Sequence, residues 1–146
     1  RGLGDVYKRQ EHKDGDPVDG VHVANMLHQP VEAVYKTLVT QANTKEYLVY
    51  MLPVEKELDL KKCAKIAGVK SCEMIHVKDI NKITGYIRGG CSPLGMKKQF
   101  RTFIEMDCLN QDKIYFSAGK IGMQIEMDPK TLMDLIHVQA GDITKE

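Results

Sequence analysis

A glycine-rich segment in the middle of the chain, Gly85 to Lys98, has residue types that could hold an anion or a carbonyl group. It reads GYIRGGCSPLGMKK and contains four glycines, one serine and three cations. Glycine lets the backbone approach a ligand closely, and consecutive N–H groups in such a turn can form an anion-binding nest. Local composition alone favours a simpler interpretation, a strand that ends in a glycine-proline turn, because short glycine-rich motifs often occur without a ligand.

A lysine on an apolar strand face is the second candidate for chemistry. The β-branched residues from Val34 to Thr40 predict a strand, in which alternation places Lys36 on the same face as Val34 and Leu38. One interpretation is an edge-strand lysine that prevents aggregation. The other is a partly desolvated ammonium group, whose pKa would be lowered and whose charge would act strongly over short distances.

The cysteines and histidines do not form a recognisable metal site. Four cysteines occur without CxxC spacing or a paired-histidine motif, so we expect no metal and no cofactor. Free cysteine is commonly a small buried apolar residue. No apolar stretch typical of a secretory signal is found, and the sequence is therefore interpreted as a reduced, cytoplasmic protein. The cysteines are Cys63, Cys72, Cys91 and Cys108.

Charge is balanced overall but uneven along the chain. The 146 residues carry a formal net charge of +1 and no window of about 20 apolar residues, so neither DNA nor a membrane is expected as a partner. No acidic residue lies between Asp79 and Glu105, which favours a local positive field able to hold a phosphate. A solvated basic surface is the alternative. The cations inside this window are Lys82, Arg88, Lys97, Lys98 and Arg101.

The candidate residues must be positioned by strands and helices. Sequence patterns typical of strands and of helices alternate along the chain. Residues 1–10 share no periodicity with the rest of the chain and are predicted to be a non-native N-terminal segment, while 11–146 form one domain. Short connections between alternating elements predict a single α+β domain around a mixed sheet. Helices are predicted at Pro17–Leu27, from the Asp59 N-cap to Gly68, at Val77–Thr84, and after Asp128-Pro129 with Leu132, Leu135 and Ile136 inward. Strands are predicted at Val34–Thr40, Tyr47–Leu52, Cys72–Ile75, Thr102–Ile104, Ile114–Ser117 and Ile121–Met127, with Gln124 opposite the buried face of the last.

Four blocks in order carry a family resemblance across about residues 11 to 138. They read VYKTLV at 34–39, PVEKELDLKK at 53–62, TGYIRGGCSPLGMKK at 84–98 and IYFSAGKIGMQIEM at 114–127. Together they resemble the YbaK/EbsC proteins and the related editing domain inserted in bacterial prolyl-tRNA synthetases. The resemblance implies a mixed sheet curled into a partly closed barrel with flanking helices. It also implies deacylation of tRNA that carries a wrong small amino acid, most often cysteine on tRNA(Pro). Aminoacylated tRNA is then the partner, and prolyl-tRNA synthetase is a candidate second one.

The same resemblance implies which residues form the site. Lys36 and Gly89 are expected to be catalytic. This sequence departs from the family pattern at two positions: Gln10 precedes Glu11-His12 where relatives carry a tyrosine, and Gln124 stands where an acidic residue is frequent. The expected substrate-binding residues are Gly90, Ser92, Ser117, Gly119 and Gln124.

An aminoacyl ester is already activated, so the site mainly has to orient the carbonyl and stabilise charge on its oxygen. Backbone N–H groups around Gly89 suit the developing oxyanion, and Lys36 could anchor the terminal adenosine or polarise the ester. Cys91 is a candidate nucleophile, since nearby cations would lower the pKa of its thiol. Relatives tolerate an aliphatic residue there, however, and the five histidines show no triad spacing, so we expect Cys91 to pack and the substrate's own thiol to attack the ester.

Two other functions remain open. A non-catalytic module could hold tRNA or a nucleotide in the same cleft, an alternative favoured by the absent tyrosine and by Gln124. A thiol-redox or metal protein rests only on the cysteine count and ranks lowest.

Overall fold

A computed structural model of the chain describes residues 9–11, 30–86, 91–96, 99–119 and 123–145. The strands in these ranges are β1 (Arg9–Glu11), β2 (Tyr35–Ala42), β3 (Tyr47–Pro53), β4 (Cys72–Met74), β5 (Arg101–Glu105), β6 (Ile114–Ser117), β7 (Met123–Met127) and β8 (Val138–Gly141). The α-helices are α1 (Leu60–Ala67), α2 (Ile80–Thr84) and α3 (Pro129–Leu135). Short 3-10 helices cover Val31–Ala33, Val77–Asp79 and Met106–Asn110.

The strands form two sheets. The larger has the order β4-β2-β3-β5-β8 and is mixed, because β2 pairs antiparallel with β3 and β4, while β5 pairs parallel with β3 and β8. The smaller is antiparallel with the order β1-β7-β6. The prediction of a single α+β domain around a mixed sheet is therefore confirmed.

A parallel bridge between Val34 and Tyr115 joins the start of β2 to β6. A barrel requires its edge strands to pair with one another. In the part of the chain that the structure describes, β4 and β8 remain edges of the larger sheet. The expectation of a partly closed barrel is therefore not supported.

The two faces of the larger sheet bury different clusters. On one face Leu48, Tyr50 and Leu52 pack against α1, which contributes Cys63 and Ala64. On the other face Tyr35, Met51 and Ile104 pack against the small sheet and α3, represented by Phe116 and Leu132. Fully burying one such side chain contributes about 1.5–3 kcal/mol, so both faces hold the sheet in place.

Helix α1 forms where its local signals place it. The Asp59 carboxylate accepts hydrogen bonds from the N–H groups of Lys61 and Lys62 at 3.0 and 3.1 Å, which satisfies two donors at the helix start. Gly68 ends the helix with φ of 72°, a left-handed conformation that glycine adopts without strain. The predicted boundaries of this helix are confirmed.

Other parts of the chain differ from the sequence predictions or lie outside the described residues. The predicted helix at Pro17–Leu27 lies outside the described residues. Strand β8 was not predicted, because its sequence VQAG has no strand pattern and it forms by parallel pairing with the edge of β5. The inward placement of Leu135 is wrong, because at the last residue of α3 its side chain is 44% exposed. Strand β1 begins at Arg9, inside the segment set aside from the domain.

Candidate functional site

The polar face of the small sheet aligns residues from three strands. In the register of β6 and β7, Ser117 lies opposite Gln124. Gln124 in turn lies opposite Gln10 of β1. Phe116 and Ile125 occupy the next pair in the register and point into the core, so alternation turns the pair of Ser117 and Gln124 to the other face.

The bridge between the sheets extends this alignment to Lys36. Val34 and Tyr115 pair in parallel, so β2 and β6 run alongside each other in the same direction. Lys36 lies two residues after Val34, and Ser117 lies two residues after Tyr115. Because side chains alternate along a strand, Lys36 and Ser117 are on the same face as these two bridge residues. The fold thus aligns Lys36, Ser117, Gln124 and the position of Gln10 in one row across β2, β6, β7 and β1, which we call the polar row. Of the predicted site residues, the polar row contains Lys36, Ser117 and Gln124.

Lys36 is half-buried, and its surroundings change its acidity. Removal of water lowers its pKa below the ordinary value of 10.5, while the nearby Glu57 carboxylate raises it by a smaller amount. The prediction of a partly desolvated ammonium group is confirmed. The edge-strand interpretation is wrong, because at Lys36 strand β2 pairs with β3 on one side and runs beside β6 on the other. A charge with little water around it acts more strongly on a bound anion or carbonyl than an exposed one.

The turn after Ser117 is held by its side chain. The Ser117 hydroxyl accepts a hydrogen bond from the N–H of Gly119 at 3.1 Å. Gly119 has φ of 99°, a conformation that residues with a Cβ rarely adopt. Gln124 lies on the face opposite the core, as predicted, yet it is only 8% exposed. An amide at this position is therefore shielded from bulk water.

Tyr86 is a residue of this region that the sequence analysis did not select. Its hydroxyl donates a hydrogen bond to the carbonyl of Leu94. An added Cβ at Gly119 would lie 2.8 Å from Tyr86 Cε1, and one at Gly95 would lie 2.9 Å from the Tyr86 hydroxyl oxygen. The ring therefore lies against both glycines and connects the 91–96 stretch to the turn after β6. The available signal was that Tyr86 lies within the glycine-rich segment, but its partner Gly119 is distant in sequence.

The structure describes only part of the glycine-rich segment. Gly89 and Gly90 lie outside the described residues, so their predicted roles stay predictions. Ser92 is 1% exposed, and its hydroxyl accepts a hydrogen bond from the N–H of Leu94 at 3.3 Å. Its contact with substrate also stays a prediction.

Cys91 does not have the properties of an activated nucleophile. Burial raises the pKa of its thiol to about 11, although a hydrogen bond with Thr84 acts in the opposite direction. The group is therefore a neutral thiol at pH 7, in contrast to a thiolate stabilised by cations. Within the described ranges, no three histidine, cysteine, aspartate or glutamate side chains are grouped as metal ligands would be.

Two surface grooves lie away from the polar row. One of about 430 Å³ runs beside β5 and β8 and includes Arg101, Met133 and His137. The other, of about 440 Å³, runs along α1. None of the predicted site residues lines either groove, so these shapes do not by themselves locate the chemistry. No helix of the described residues is long and apolar enough to cross a membrane.

Comparison with known proteins gives the family. The model of the aminoacyl-tRNA editing domain matches residues 18–135. An Enterococcus faecalis protein described as a Cys-tRNA(Pro)/Cys-tRNA(Cys) deacylase, EbsC, is 46% identical over 139 residues, which cover 94% of this chain and 85% of that protein.

Solved structures agree in fold. A crystal structure described as that of a trans-editing enzyme for prolyl tRNA synthetase matches with a TM-score of 0.88 at 20% identity, covering 99% of this chain and 90% of the other. A structure from work on epitope backbone grafting onto scaffold proteins matches with a TM-score of 0.86 at 19% identity, covering 96% and 87%. Since the family match spans most of the sequence and the E. faecalis relative is similar along nearly all of it, this chain belongs to the aminoacyl-tRNA editing domain family.

Proposed function

We propose that this protein is a trans-editing deacylase that releases cysteine from Cys-tRNA(Pro). The observation that carries the proposal is the polar row, in which a half-buried Lys36 is aligned with Ser117 and Gln124. Membership of the editing family and the description of the E. faecalis relative support the substrate class. The protein would act in the cytoplasm on aminoacylated tRNA, with prolyl-tRNA synthetase as a candidate partner.

Lys36 has the charge and position to hold the acceptor end. Its ammonium group would bind a phosphate or hydroxyl oxygen of the terminal adenosine, or the ester oxygen itself, where low hydration strengthens the attraction. Ser117 and Gln124 would border the amino acid and limit its size. Backbone N–H groups of Gly89 and Gly90 would donate to the oxygen that becomes negative as the ester is attacked.

The thiol of the cysteinyl group is the proposed nucleophile. Its sulfur forms a bond to the ester carbonyl carbon, the bond from that carbon to the ribose oxygen breaks, and the thiol proton passes to the ribose oxygen as tRNA leaves. Water then opens the cyclic thioester to release cysteine. Two observations support this route, because they leave both protein groups weak as nucleophiles. Burial raises the pKa of the Cys91 thiol, and the Ser117 hydroxyl oxygen already accepts a hydrogen bond from the Gly119 N–H.

Deacylation of matched substrates tests the proposal. The protein is expected to release cysteine from Cys-tRNA(Pro) much faster than alanine from Ala-tRNA(Pro), because alanine has no thiol. Equal rates on the two substrates would exclude assistance by the substrate thiol and leave a general deacylase. No release from either substrate would contradict a deacylase function.

A non-catalytic binding module is the second candidate. Gln124 and Gln10 are neutral, so among the four positions of the polar row only Lys36 has a side chain charged at neutral pH. Such a row could hold an anionic end of tRNA without promoting hydrolysis. This alternative predicts that the protein slows tRNA in a native gel while the aminoacyl ester decays at its uncatalysed rate.

A further inference from the structure

The groove along α1 has three lysines at its borders. Lys61 and Lys65 lie one helical turn apart on α1, and Lys70 follows in the connection to β4. All three are exposed, while Leu60 and Val69 contribute an apolar floor. Residues four apart on a helix have neighbouring side chains, so Lys61 and Lys65 form a local cationic pair.

The acidic residues close to this groove are engaged or directed elsewhere. The Asp59 carboxylate accepts the N–H groups at the start of α1. Asp142 forms an ion pair with Lys62 at 3.1 Å. Glu73 follows Cys72 on β4, and alternation turns it away from the face that packs against α1. No carboxylate is among the described residues that line the groove, so the groove has a net positive charge.

The groove and Lys36 share one face of the larger sheet. Lys36 lies opposite Leu52, which packs into the cluster beneath α1. Glu57, which acts on the pKa of Lys36, precedes the start of α1 by three residues. The lysines of α1 and Lys36 therefore lie on the same side of the larger sheet.

We propose that the groove along α1 binds the phosphate backbone of the tRNA while Lys36 holds its acceptor end. This inference rests on the proposed function and identifies a second contact surface for the same substrate. Lysine binds phosphate as a point charge, which suits a surface that follows a phosphate backbone. Helical RNA is recognised mainly through its shape, phosphates and 2′-hydroxyls, so such a surface contributes affinity without reading sequence.

A charge-matched pair of variants tests the groove. The groove variant is Lys61→Gln/Lys65→Gln, and the control is Lys113→Gln/Lys130→Gln, which removes the same charge from exposed positions elsewhere. Glutamine has nearly the helix propensity of lysine, so α1 should remain folded, which circular dichroism and urea unfolding verify. The measurement is the dissociation constant of uncharged tRNA(Pro) as a function of salt, together with KM and kcat for deacylation.

The groove variant is expected to bind tRNA roughly tenfold more weakly at low salt and to lose about 2 from the slope of log affinity against log salt. Its KM should rise while kcat changes little, and the control should resemble wild type. Equal slopes for the groove variant and wild type would overturn the inference, as would equal losses in both variants. The binding measurement uses uncharged tRNA, so it tests the groove whether or not the protein has deacylase activity. Failure of the proposed function would appear separately, as no deacylation by the wild-type protein.

Discussion

Lys36 is the residue on which most of the proposed chemistry depends. Its half-buried position on β2 lowers its pKa, and its register position aligns it with Ser117. A side chain of similar length without charge therefore isolates the role of the ammonium group. Lys36→Met keeps most of the apolar stem, and Lys36→Arg restores a cation.

We expect Lys36→Met to abolish deacylation of Cys-tRNA(Pro), with a loss of at least about 100-fold, because one preorganised electrostatic contact contributes on this scale. Lys36→Arg should recover part of the activity. Single-turnover deacylation measures both, and the unfolding midpoint verifies the fold. A folded Lys36→Met protein with wild-type rates would exclude Lys36 from catalysis.

The lowered pKa of Lys36 also predicts a pH-dependent stability. The unfolded chain binds this proton more tightly than the folded chain, so stability rises with pH between the folded pKa and the unfolded value near 10.5. Below the folded pKa the cost of the buried charge is fully present. Lys36→Met should therefore be more stable than wild type in urea at pH 7, and the difference should shrink as the pH approaches 10.5. A difference independent of pH would contradict this account.

Cys91 should be dispensable for activity. Its pKa of about 11 keeps the thiol neutral at pH 7 and therefore weakly nucleophilic. We expect Cys91→Ala to retain deacylation within a few-fold of wild type. If the rate instead falls by several orders of magnitude in a folded variant, Cys91 is the nucleophile and the substrate-assisted route is wrong.

At the scale of elements, the turn between β6 and β7 depends on a contact with the glycine-rich segment. Gly119 and Gly68 both have positive φ, but a Cβ at Gly119 would meet the Tyr86 ring, whereas nothing lies within 4 Å of one at Gly68. Gly68→Ala is thus a control for backbone strain alone, which costs about 1–2 kcal/mol.

Gly119→Ala is expected to destabilise the protein more than Gly68→Ala and to reduce deacylation, because the Tyr86 ring must move away from the turn. Urea unfolding and the deacylation rate measure the two effects. The matched test combines Gly119→Ala with Tyr86→Ala, which removes the obstructing ring. The two substitutions together should cost less than the sum of their separate effects, and simple additivity would show that the Tyr86 contact is unimportant.

At the scale of the whole molecule, the segment after β8 ties the larger sheet to α1. The buried Glu105 carboxylate accepts the N–H of Ile143 at 3.0 Å. Lys62 of α1 donates to the Thr144 carbonyl at 2.8 Å. Ile143 is fully buried in the cluster beneath α1. The segment after β8 therefore holds in place the helix whose lysines form the proposed RNA contact.

Ile143→Ala should lower the free energy of unfolding by about 2–5 kcal/mol, because it leaves a cavity in the core. Leu109→Ala, at a side chain that is largely exposed, is the control and should change stability by about 0.5 kcal/mol or less. Chemical denaturation of both variants measures the difference. Similar values for the two would show that the chain end contributes little to the core.

Local signals in the sequence determined much of the secondary structure. The Asp59 N-cap and Gly68 define α1, and the β-branched run after Val34 defines β2, because these preferences act between residues close in the chain. The ordered blocks gave the family, which the comparisons confirmed. The alternating patterns of β6 and β7 likewise predicted Ser117 at the end of β6 and Gln124 on the face of β7 opposite the core.

Only the tertiary structure decided how these parts meet. Strand β8 exists because β5 offers it a parallel edge, and the polar row exists because one bridge aligns β2 with β6, pairings between residues far apart in sequence. The burial of Gln124, the contact of Tyr86 with Gly119 and the raised pKa of Cys91 depend on neighbours that a local pattern does not specify. Desolvation and strand pairing are properties of the assembled fold, so residue types supplied the candidates and packing decided their chemical state.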